Sequence, residues 1–161
     1  NMSKVSKEKI VCTYCQTEGE FEFWESVNVD LDPAMREKIF NEEIFIWTCP
    51  NCGQRFFIPY STLYHDMKNN FMIIYCPERA EDSTKEISEV YKLLGISQKY
   101  TFRIVYGVDE LKEKILILEQ HLNDIAIEKL KYHILQYELS QEDIHLFFAH
   151  ILTDAPEYEY V

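Results

Sequence analysis

The sequence predicts an α+β protein with a β-rich N-terminal module, followed by a strand, a helical hairpin and C-terminal strands. Three observations support this fold class: alternating apolar stretches in the first half, two cysteine pairs among them, and helical apolar stripes in the second half. The chain has 161 residues, enough for one ordinary domain or two small ones. We divide it into a module at 2–80 and an α+β part at 81–161, packed together as one unit.

Four strands and a short helix are predicted in the first half. The stretch at 20–29, EFEFWESVNV, alternates apolar and acidic residues, as a half-buried strand does. Residues 43–49, EIFIWTC, are apolar on both faces, which is typical of a central strand, and RFFIPY at 55–60 returns as its hairpin partner. A further strand is predicted at 71–76, FMIIYC, and Pro33 suits the start of the helix LDPAMREKIFNEE.

The second half is predicted to be mainly helical. A capping-box pattern begins a helix at 83–95, TFRIVYG at 101–107 is a strand, and two amphipathic helices follow at 109–122 and 124–139. The apolar stripes of these last two helices consist of Leu111, Ile115, Leu118 and Leu122, and of Ile127, Leu130, Ile134 and Tyr137. Stripes with this spacing favour a packed helical hairpin over a cofactor groove.

Two interpretations stay open at the C-terminal end of the chain. Residues 143–151, DIHLFFAHI, read as a strand, with TDAP as a turn and EYEYV at 157–161 as the partner strand. Ser140, followed by Glu142 and Asp143, equally fits the cap of a short helix.

Five cysteines are present, and four of them form two pairs with identical spacing: Cys12 with Cys15 and Cys49 with Cys52. In a chain with no secretion signal, such pairs indicate metal ligands rather than disulfides. Both pairs precede strands, so no helix N-terminus would activate a thiol for redox chemistry. Cys76 stands alone and is interpreted as a small buried apolar side chain.

Zinc is the metal that this pattern favours, because two Cys-x-x-Cys turns can direct four thiolates at one tetrahedral ion. Gly53 tolerates the positive φ that such a turn requires, and Pro50 fixes another dihedral angle. The 33 residues at 16–48 form a long insert, but they carry two strands and a helix that would place the turns side by side as in a zinc ribbon. Four sulfurs fill the coordination shell, so we predict a structural zinc rather than a catalytic one.

Charge and hydropathy restrict the partners. The formal net charge is −12, and a surface of that sign repels DNA unless basic residues are concentrated. The one basic cluster, Lys4, Lys7 and Lys9, is small. No window approaches the ~18 apolar residues of a membrane span, and SKVSKEK after Met2 lacks the apolar core of a signal peptide. We therefore expect a cytoplasmic protein that meets a protein partner rather than nucleic acid or a membrane.

Two other functions are compatible with parts of the sequence. A histidine held by a carboxylate could serve as a base, so an enzyme with a site near His65 and Asp66, and zinc as scaffold, is the alternative hypothesis. No nucleophile accompanies that pair in the sequence. His145 and His150 are five residues apart, a spacing that does not form a chelating pair. A nucleic-acid-binding zinc ribbon is the third hypothesis, and the negative charge disfavours it.

With these motifs established, the chain resembles the CpXC-domain proteins, a bacterial and archaeal group named for two Cys-Pro-x-Cys motifs. The second motif matches in full at 49–52, and the stretch from there through YSTLYHD resembles the family's continuation, as does FRIVYGVDELKEKILILEQHLNDIAIEKLK. The first motif departs, since Thr13 and Tyr14 stand inside the pair without a proline. The resemblance implies a zinc module and no particular activity. Our hypothesis is a non-enzymatic, zinc-stabilised protein that acts through protein contacts.

Overall fold

The structure of the chain is a computed structural model that describes residues 3–78 and 99–138. The chain divides into two compact units, Asn1–Val108 and Asp109–Val161. The predicted boundary between residues 80 and 81 lies outside the described residues and stays a prediction. The helix predicted at 83–95 and the C-terminal strands or helix also lie outside them.

The first unit contains a mixed five-stranded sheet and a separate two-stranded hairpin. The strands are β1 Lys4–Val11, β2 Glu18–Asn28, β3 Ile46–Thr48, β4 Arg55–Phe57, β5 Thr62–Asp66, β6 Phe71–Tyr75 and β7 Thr101–Val105. The sheet has the order β1-β2-β5-β6-β7, and among the described strands β3 pairs with β4 alone. Pairing is antiparallel for β1–β2, β5–β6 and β3–β4, and parallel for β2–β5 and β6–β7.

The helices complete the α+β class that the sequence predicts. The short helix α1 spans Ala34–Phe40 between β2 and β3, and a 3₁₀ helix spans Glu43–Phe45. After β7 come α2, Val108–Glu119, and α3, Asp124–Glu138. The predicted strands β2, β4, β6 and β7 and the two predicted amphipathic helices are all present.

The stretch EIFIWTC is not the central strand that its apolar residues predict. Its first part turns as the 3₁₀ helix, because Glu42 takes a left-handed φ of 64° and the Glu43 N–H donates to Asn41 Oδ1 at 3.1 Å. Only Ile46–Thr48 is extended, and among the described residues it pairs with β4 alone. The apolar residues instead fill the core, where Ile44, Phe45 and Trp47 are buried.

A local turn fixes the β5–β6 hairpin. Both carboxylate oxygens of Asp66 accept hydrogen bonds from Asn69, one from the backbone N–H at 2.8 Å and one from Nδ2 at 2.7 Å. Asn70 follows with a left-handed φ of 55°, a conformation that asparagine tolerates better than most residues. Asn69 and Asn70 therefore form the turn that leads from β5 into β6.

Gly19 of β2 lies directly against the Trp47 ring of β3. A Cβ atom built on Gly19 would lie 2.5 Å from Cζ2 of the Trp47 ring. Trp47 belongs to an apolar cluster that also contains Phe21 and the buried cysteines Cys12 and Cys49. The absence of a side chain at Gly19 lets the indole lie against β2 beside those cysteines.

In the second unit, α2 and α3 are joined by ion pairs that are largely buried. Lys114 Nζ lies 3.0 Å from Asp124 Oδ2, and Lys131 Nζ lies 2.6 Å from Glu113 Oε1. Glu113, Lys114 and Asp124 are all buried. Because removing one member of such a pair leaves a charge without compensation, these contacts fix how the two helices meet.

The apolar stripes of the hairpin are buried unequally. On α2, Leu111, Ile115 and Leu118 are buried as predicted. Leu122, the last residue of the first stripe, lies just past α2 and is 40% exposed. Leu130 of the second stripe is 46% exposed, so neither stripe is buried along the whole length that its spacing predicts.

We predict that Gly19→Ala destabilises the protein by about 1–3 kcal/mol, because the new methyl group overlaps the Trp47 ring. Urea unfolding of the metal-loaded protein measures the change. In a double-mutant cycle, Trp47→Phe removes the ring atom that makes the contact, so the two substitutions together should cost less than their sum. Strict additivity would contradict the proposed overlap.

We predict that Asp124→Ala destabilises the protein by about 3 kcal/mol, since Lys114 loses its nearest carboxylate in a buried position. The matched control is Glu25→Ala, which removes the partner of Lys4 in a solvent-exposed pair. That control should change stability by less than about 1 kcal/mol. If Asp124→Ala and Glu25→Ala lowered the thermal stability equally, burial of the Lys114–Asp124 ion pair would have no energetic consequence.

Candidate metal centre

The four paired cysteines lie at the ends of two hairpins. Cys12 and Cys15 occupy the turn between β1 and β2, and Cys49 and Cys52 occupy the turn between β3 and β4. The four Sγ atoms all lie within 4.8 Å of one another, although the pairs are more than 30 residues apart in sequence. The fold thus brings together all four residues that the sequence singles out, and they are positioned to bind a metal ion.

The sulfur–sulfur distances fit a tetrahedral thiolate site. Cys12 Sγ lies 3.7 Å from Cys52 Sγ, and Cys15 Sγ lies 3.6 Å from Cys49 Sγ. A tetrahedron with metal–sulfur bonds of ~2.3 Å has edges of about 3.8 Å. A disulfide would require about 2.05 Å, and all four cysteines are free. The arrangement therefore fits metal coordination and not two disulfides.

The two turns have the same backbone hydrogen bonds. In the first turn, the Cys12 N–H donates to Thr17 O at 2.9 Å, and the Gln16 N–H donates to Cys12 O at 2.9 Å. In the second turn, the Cys49 N–H donates to Gln54 O at 2.8 Å, and the Gly53 N–H donates to Cys49 O at 3.0 Å. Each turn is a closed loop that directs two sulfurs to one side.

Both turns need a left-handed residue directly after the second cysteine. Gly53 has φ 73°, as its sequence position predicts, and Gln16 has φ 61° at the equivalent position. The left-handed conformation costs a residue with a Cβ roughly 1–2 kcal/mol. Gly53 is predictable because glycine signals such a turn in a sequence, whereas Gln16 carries no comparable signal.

The sulfurs differ in how strongly their surroundings favour the thiolate. Hydrogen bonds from the Thr17 side chain, the Asn51 side chain and the Thr17 backbone lower the pKa of Cys15 to about 5. The Gln54 N–H lowers the pKa of Cys52, but desolvation and the neighbouring sulfurs outweigh it and raise that pKa to about 12. Four thiolates at this spacing repel one another, so a cation among them would favour full deprotonation.

One side of the cluster is buried and the other faces the surface. Cys12 and Cys49 are almost fully buried in the aromatic cluster that contains Phe21 and Trp47, whereas Cys52 is exposed. Because Cys12 and Cys49 pack in the hydrophobic core, core packing fixes the positions of their sulfurs. A bound ion would connect this core to both hairpin ends.

Comparison with known families agrees with this geometry. The family model described as CpXC protein matches residues 10–131, about three quarters of the chain and all four cysteines. The chain belongs to the CpXC family. No curated protein and no solved structure gives a significant match.

The first motif of this CpXC protein lacks the proline of the Cys-Pro-x-Cys pattern, but its turn has the same form as the second. Thr13 stands where the second motif has Pro50, yet the backbone hydrogen bonds of the two turns correspond pair by pair. The Gln16 side chain also donates from Nε2 to Thr13 O at 3.3 Å. The first turn therefore keeps its form without the proline that fixes one dihedral angle in the second.

The structure separates the residues of the alternative enzyme hypothesis. His65 and Asp66 are consecutive in β5, so their side chains point to opposite faces of the sheet. His65 Nε2 lies 3.3 Å from Tyr100 Oη, and desolvation by burial lowers the pKa of His65. Asp66 is bound to Asn69 in the turn. Asp66 therefore does not orient His65 as a carboxylate orients a catalytic base.

The remaining sequence candidates lie apart from this centre. The thiol of Cys76 donates to Glu78 O at 3.2 Å, and Cys76 is not a member of the sulfur cluster. His145 and His150 lie outside the described residues. Within residues 3–78 and 99–138, none of the helices has the length and hydropathy of a membrane span.

We predict opposite effects for substitutions after the two cysteine pairs. Gln16→Gly should stabilise the metal-loaded protein by about 0.5–1 kcal/mol, since glycine takes the left-handed conformation without strain. Gly53→Ala should destabilise it by about 1 kcal/mol, and the open space around Gly53 means that no steric clash contributes. Denaturant unfolding measures both. Changes of the same sign would contradict the equivalence of the turns.

Proposed function

We propose that this CpXC protein is a non-enzymatic zinc protein in which one structural zinc is bound by Cys12, Cys15, Cys49 and Cys52. The observation that carries the proposal is the convergence of four free sulfurs with pair distances of 3.6 and 3.7 Å. Zinc prefers tetrahedral thiolate coordination and tolerates a shell with no open position. Four thiolates also bind iron, so metal analysis has to measure both elements.

A structural role follows from the number of ligands and from their burial. Four thiolates leave no coordination site for water or substrate, and their negative charge weakens the ion as a Lewis acid. The free energy of binding such an ion, roughly 10–16 kcal/mol, equals the whole stability of many domains. Because Cys12 and Cys49 belong to the core, metal loss would expose apolar surface in the first unit.

We further propose that the protein acts through protein–protein contacts in the cytoplasm, where thiols stay reduced. Exposed apolar side chains near the metal centre support this proposal. Tyr14 at the tip of the first turn is 76% exposed, and Val11 before it is 49% exposed. The formal net charge of −12 supports a protein partner over nucleic acid.

Metal analysis of freshly purified protein tests the zinc proposal. We expect about one zinc and no iron per chain, and we expect Cys49→Ser to lose the metal and unfold the first unit. The matched control is Cys76→Ser, which removes the one cysteine outside the cluster. That control should keep both the metal and the circular dichroism spectrum of the parent protein.

Three outcomes would contradict the proposal in different ways. Metal-free wild-type protein with five titratable thiols would reject the metal site. Stoichiometric iron would keep the site and reject zinc. A folded Cys49→Ser variant that retains stoichiometric zinc would show that the ion is bound elsewhere.

A further inference from the structure

Strand β2 has an edge that no other described strand covers along most of its length. It pairs with β1 from Glu18 to Ser26, but it pairs with β5 only at residues 26–28. The edge at 18–25 that faces away from β1 is therefore without a strand partner in the part of the chain that the structure describes.

The register identifies the backbone groups on that edge. The Cys12 N–H donates to Thr17 O, and this pair continues the register that places Lys7 opposite Glu22. Hydrogen-bonded pairs alternate with non-hydrogen-bonded pairs along an antiparallel ladder, so the N–H and C=O groups of the odd-numbered residues of β2 point towards β1. The N–H and C=O groups of the even-numbered residues point away from β1, towards the open edge. Trp24 is consistent with this alternation, because its N–H donates to Tyr60 Oη at 3.3 Å and its carbonyl accepts from Thr62 Oγ1 at 2.5 Å.

Strand β3 presents a second open edge by the same reasoning. The Ile58 N–H donates to Phe45 O, and the Cys49 N–H donates to Gln54 O, so the odd-numbered residues at 45–49 bond to the β4 side. The N–H and C=O groups of Ile46 and Thr48 therefore point away from β4. No hydrogen bond links these groups to another of the described residues.

The two open edges line one groove. Its volume is about 260 Å³, several times the roughly 30 Å³ that one water molecule occupies in the liquid. A single bridging water would not fill this gap between β2 and β3. The lining residues are Glu20, Phe21, Glu22, Trp24, Lys38, Glu43, Ile44, Ile46, Trp47 and Thr48.

Tyr60 already bridges the two walls beside the groove. Its hydroxyl accepts from the Trp24 N–H and donates to Ile44 O at 2.8 Å. Burial, opposed in part by the Trp24 hydrogen bond and assisted by the Glu22 carboxylate, raises the pKa of Tyr60 to about 12, so the hydroxyl keeps its proton at neutral pH. Further along, the outward backbone groups of Glu20 and Glu22 have no hydrogen bond to a described residue.

We propose that this groove binds an extended peptide of alternating basic and apolar residues, which adds to the open edge of β2 as a further strand. The inference rests on the proposed role in protein contacts and specifies the surface and the class of partner. Strand addition would supply hydrogen bonds to outward groups of Glu20 and Glu22, and the far edge of the peptide would face Ile46 and Thr48.

The charges of the groove favour a basic peptide. The lining includes three carboxylates, Glu20, Glu22 and Glu43, against one amine, Lys38. Lys7 of β1 already demonstrates the pairing, since its Nζ lies 3.3 Å from Glu20 and 3.6 Å from Glu22. An added strand on the opposite side of β2 would place alternate side chains beside the same two carboxylates.

The other face of an added strand would meet apolar side chains. Phe21 lies on the opposite face of β2 from the two glutamates, and it belongs to the same buried cluster as Trp47. Side chains at intervening positions of the peptide would point to that face. This geometry is the reason for the alternating basic and apolar pattern.

The test uses the zinc-loaded full chain and a capped peptide of four Lys-Val repeats. Titration followed by amide NMR should shift the signals of Glu20, Glu22, Ile46 and Thr48. A peptide with alternate amide nitrogens methylated should bind at least tenfold more weakly, because it cannot form strand hydrogen bonds. A peptide of Glu-Val repeats should not bind. Glu22→Lys should weaken binding of the Lys-Val peptide at least tenfold.

The matched control variant is Glu25→Lys, which makes the same charge change on β2 but lies outside the groove lining. It should leave binding within twofold of the parent protein. Unchanged affinity of the methylated peptide, or equal losses in the two variants, would overturn strand addition at this site. Self-association of the chain would also overturn the proposal if Glu22→Lys abolished it, because the groove would then bind a second copy of the chain.

The same samples separate the two proposals. Zinc-loaded, folded protein that does not bind the Lys-Val peptide overturns the groove proposal and leaves the zinc proposal standing. Protein that lacks zinc but binds the peptide at β2 overturns the zinc proposal alone.

Discussion

The first unit depends on the convergence of four sulfurs at the ends of two separate hairpins. Thiolates 3.6 to 3.7 Å apart repel one another, so this geometry is stable only with protons or a cation among them. Each turn closes on itself through two backbone hydrogen bonds, but among the described strands no ladder joins β3 or β4 to the five-stranded sheet. The link between hairpin and sheet therefore rests on the sulfur cluster, the aromatic packing around Cys12 and Cys49, and contacts such as those of Tyr60.

The features that the sequence predicts are those set by short stretches of chain. Alternation identifies β2, helical spacing identifies α2 and α3, and the apolar run FMIIYC identifies β6. The metal centre is predictable for the same reason, because each Cys-x-x-Cys turn is a local motif and only their meeting is a long-range event. Two turns with the same spacing, each with two cysteines, make that meeting the simplest solution.

The features that the sequence does not predict depend on partners distant in the chain. Strand β1 has the sequence KVSKEKIV, and its charged residues give no sign of a strand until β2 supplies glutamates opposite its lysines. The parallel pairings of β2 with β5 and of β6 with β7 join segments whose order no local pattern specifies. Glu113 and Lys114 look like surface residues of an amphipathic helix, but both are buried, and ion pairs with α3 compensate their charges. Gln16 was missed because its left-handed backbone is imposed by the turn and not by the side chain.

The metal centre and the open groove are two consequences of one arrangement. At one end, the cysteine turns bring the hairpins together, and Gly19 lets Trp47 lie directly against β2. At the other end, the Tyr60 hydroxyl is inserted between Trp24 and Ile44, where two adjacent strands would otherwise share a hydrogen bond. These two contacts hold β2 beside β3, and among the described strands no ladder joins them. Within residues 3–78 and 99–138, the outward backbone groups of Glu20 and Glu22 have no hydrogen-bond partner. Because these groups already belong to an ordered strand, a ligand that pairs with them would bind without the cost of ordering the site.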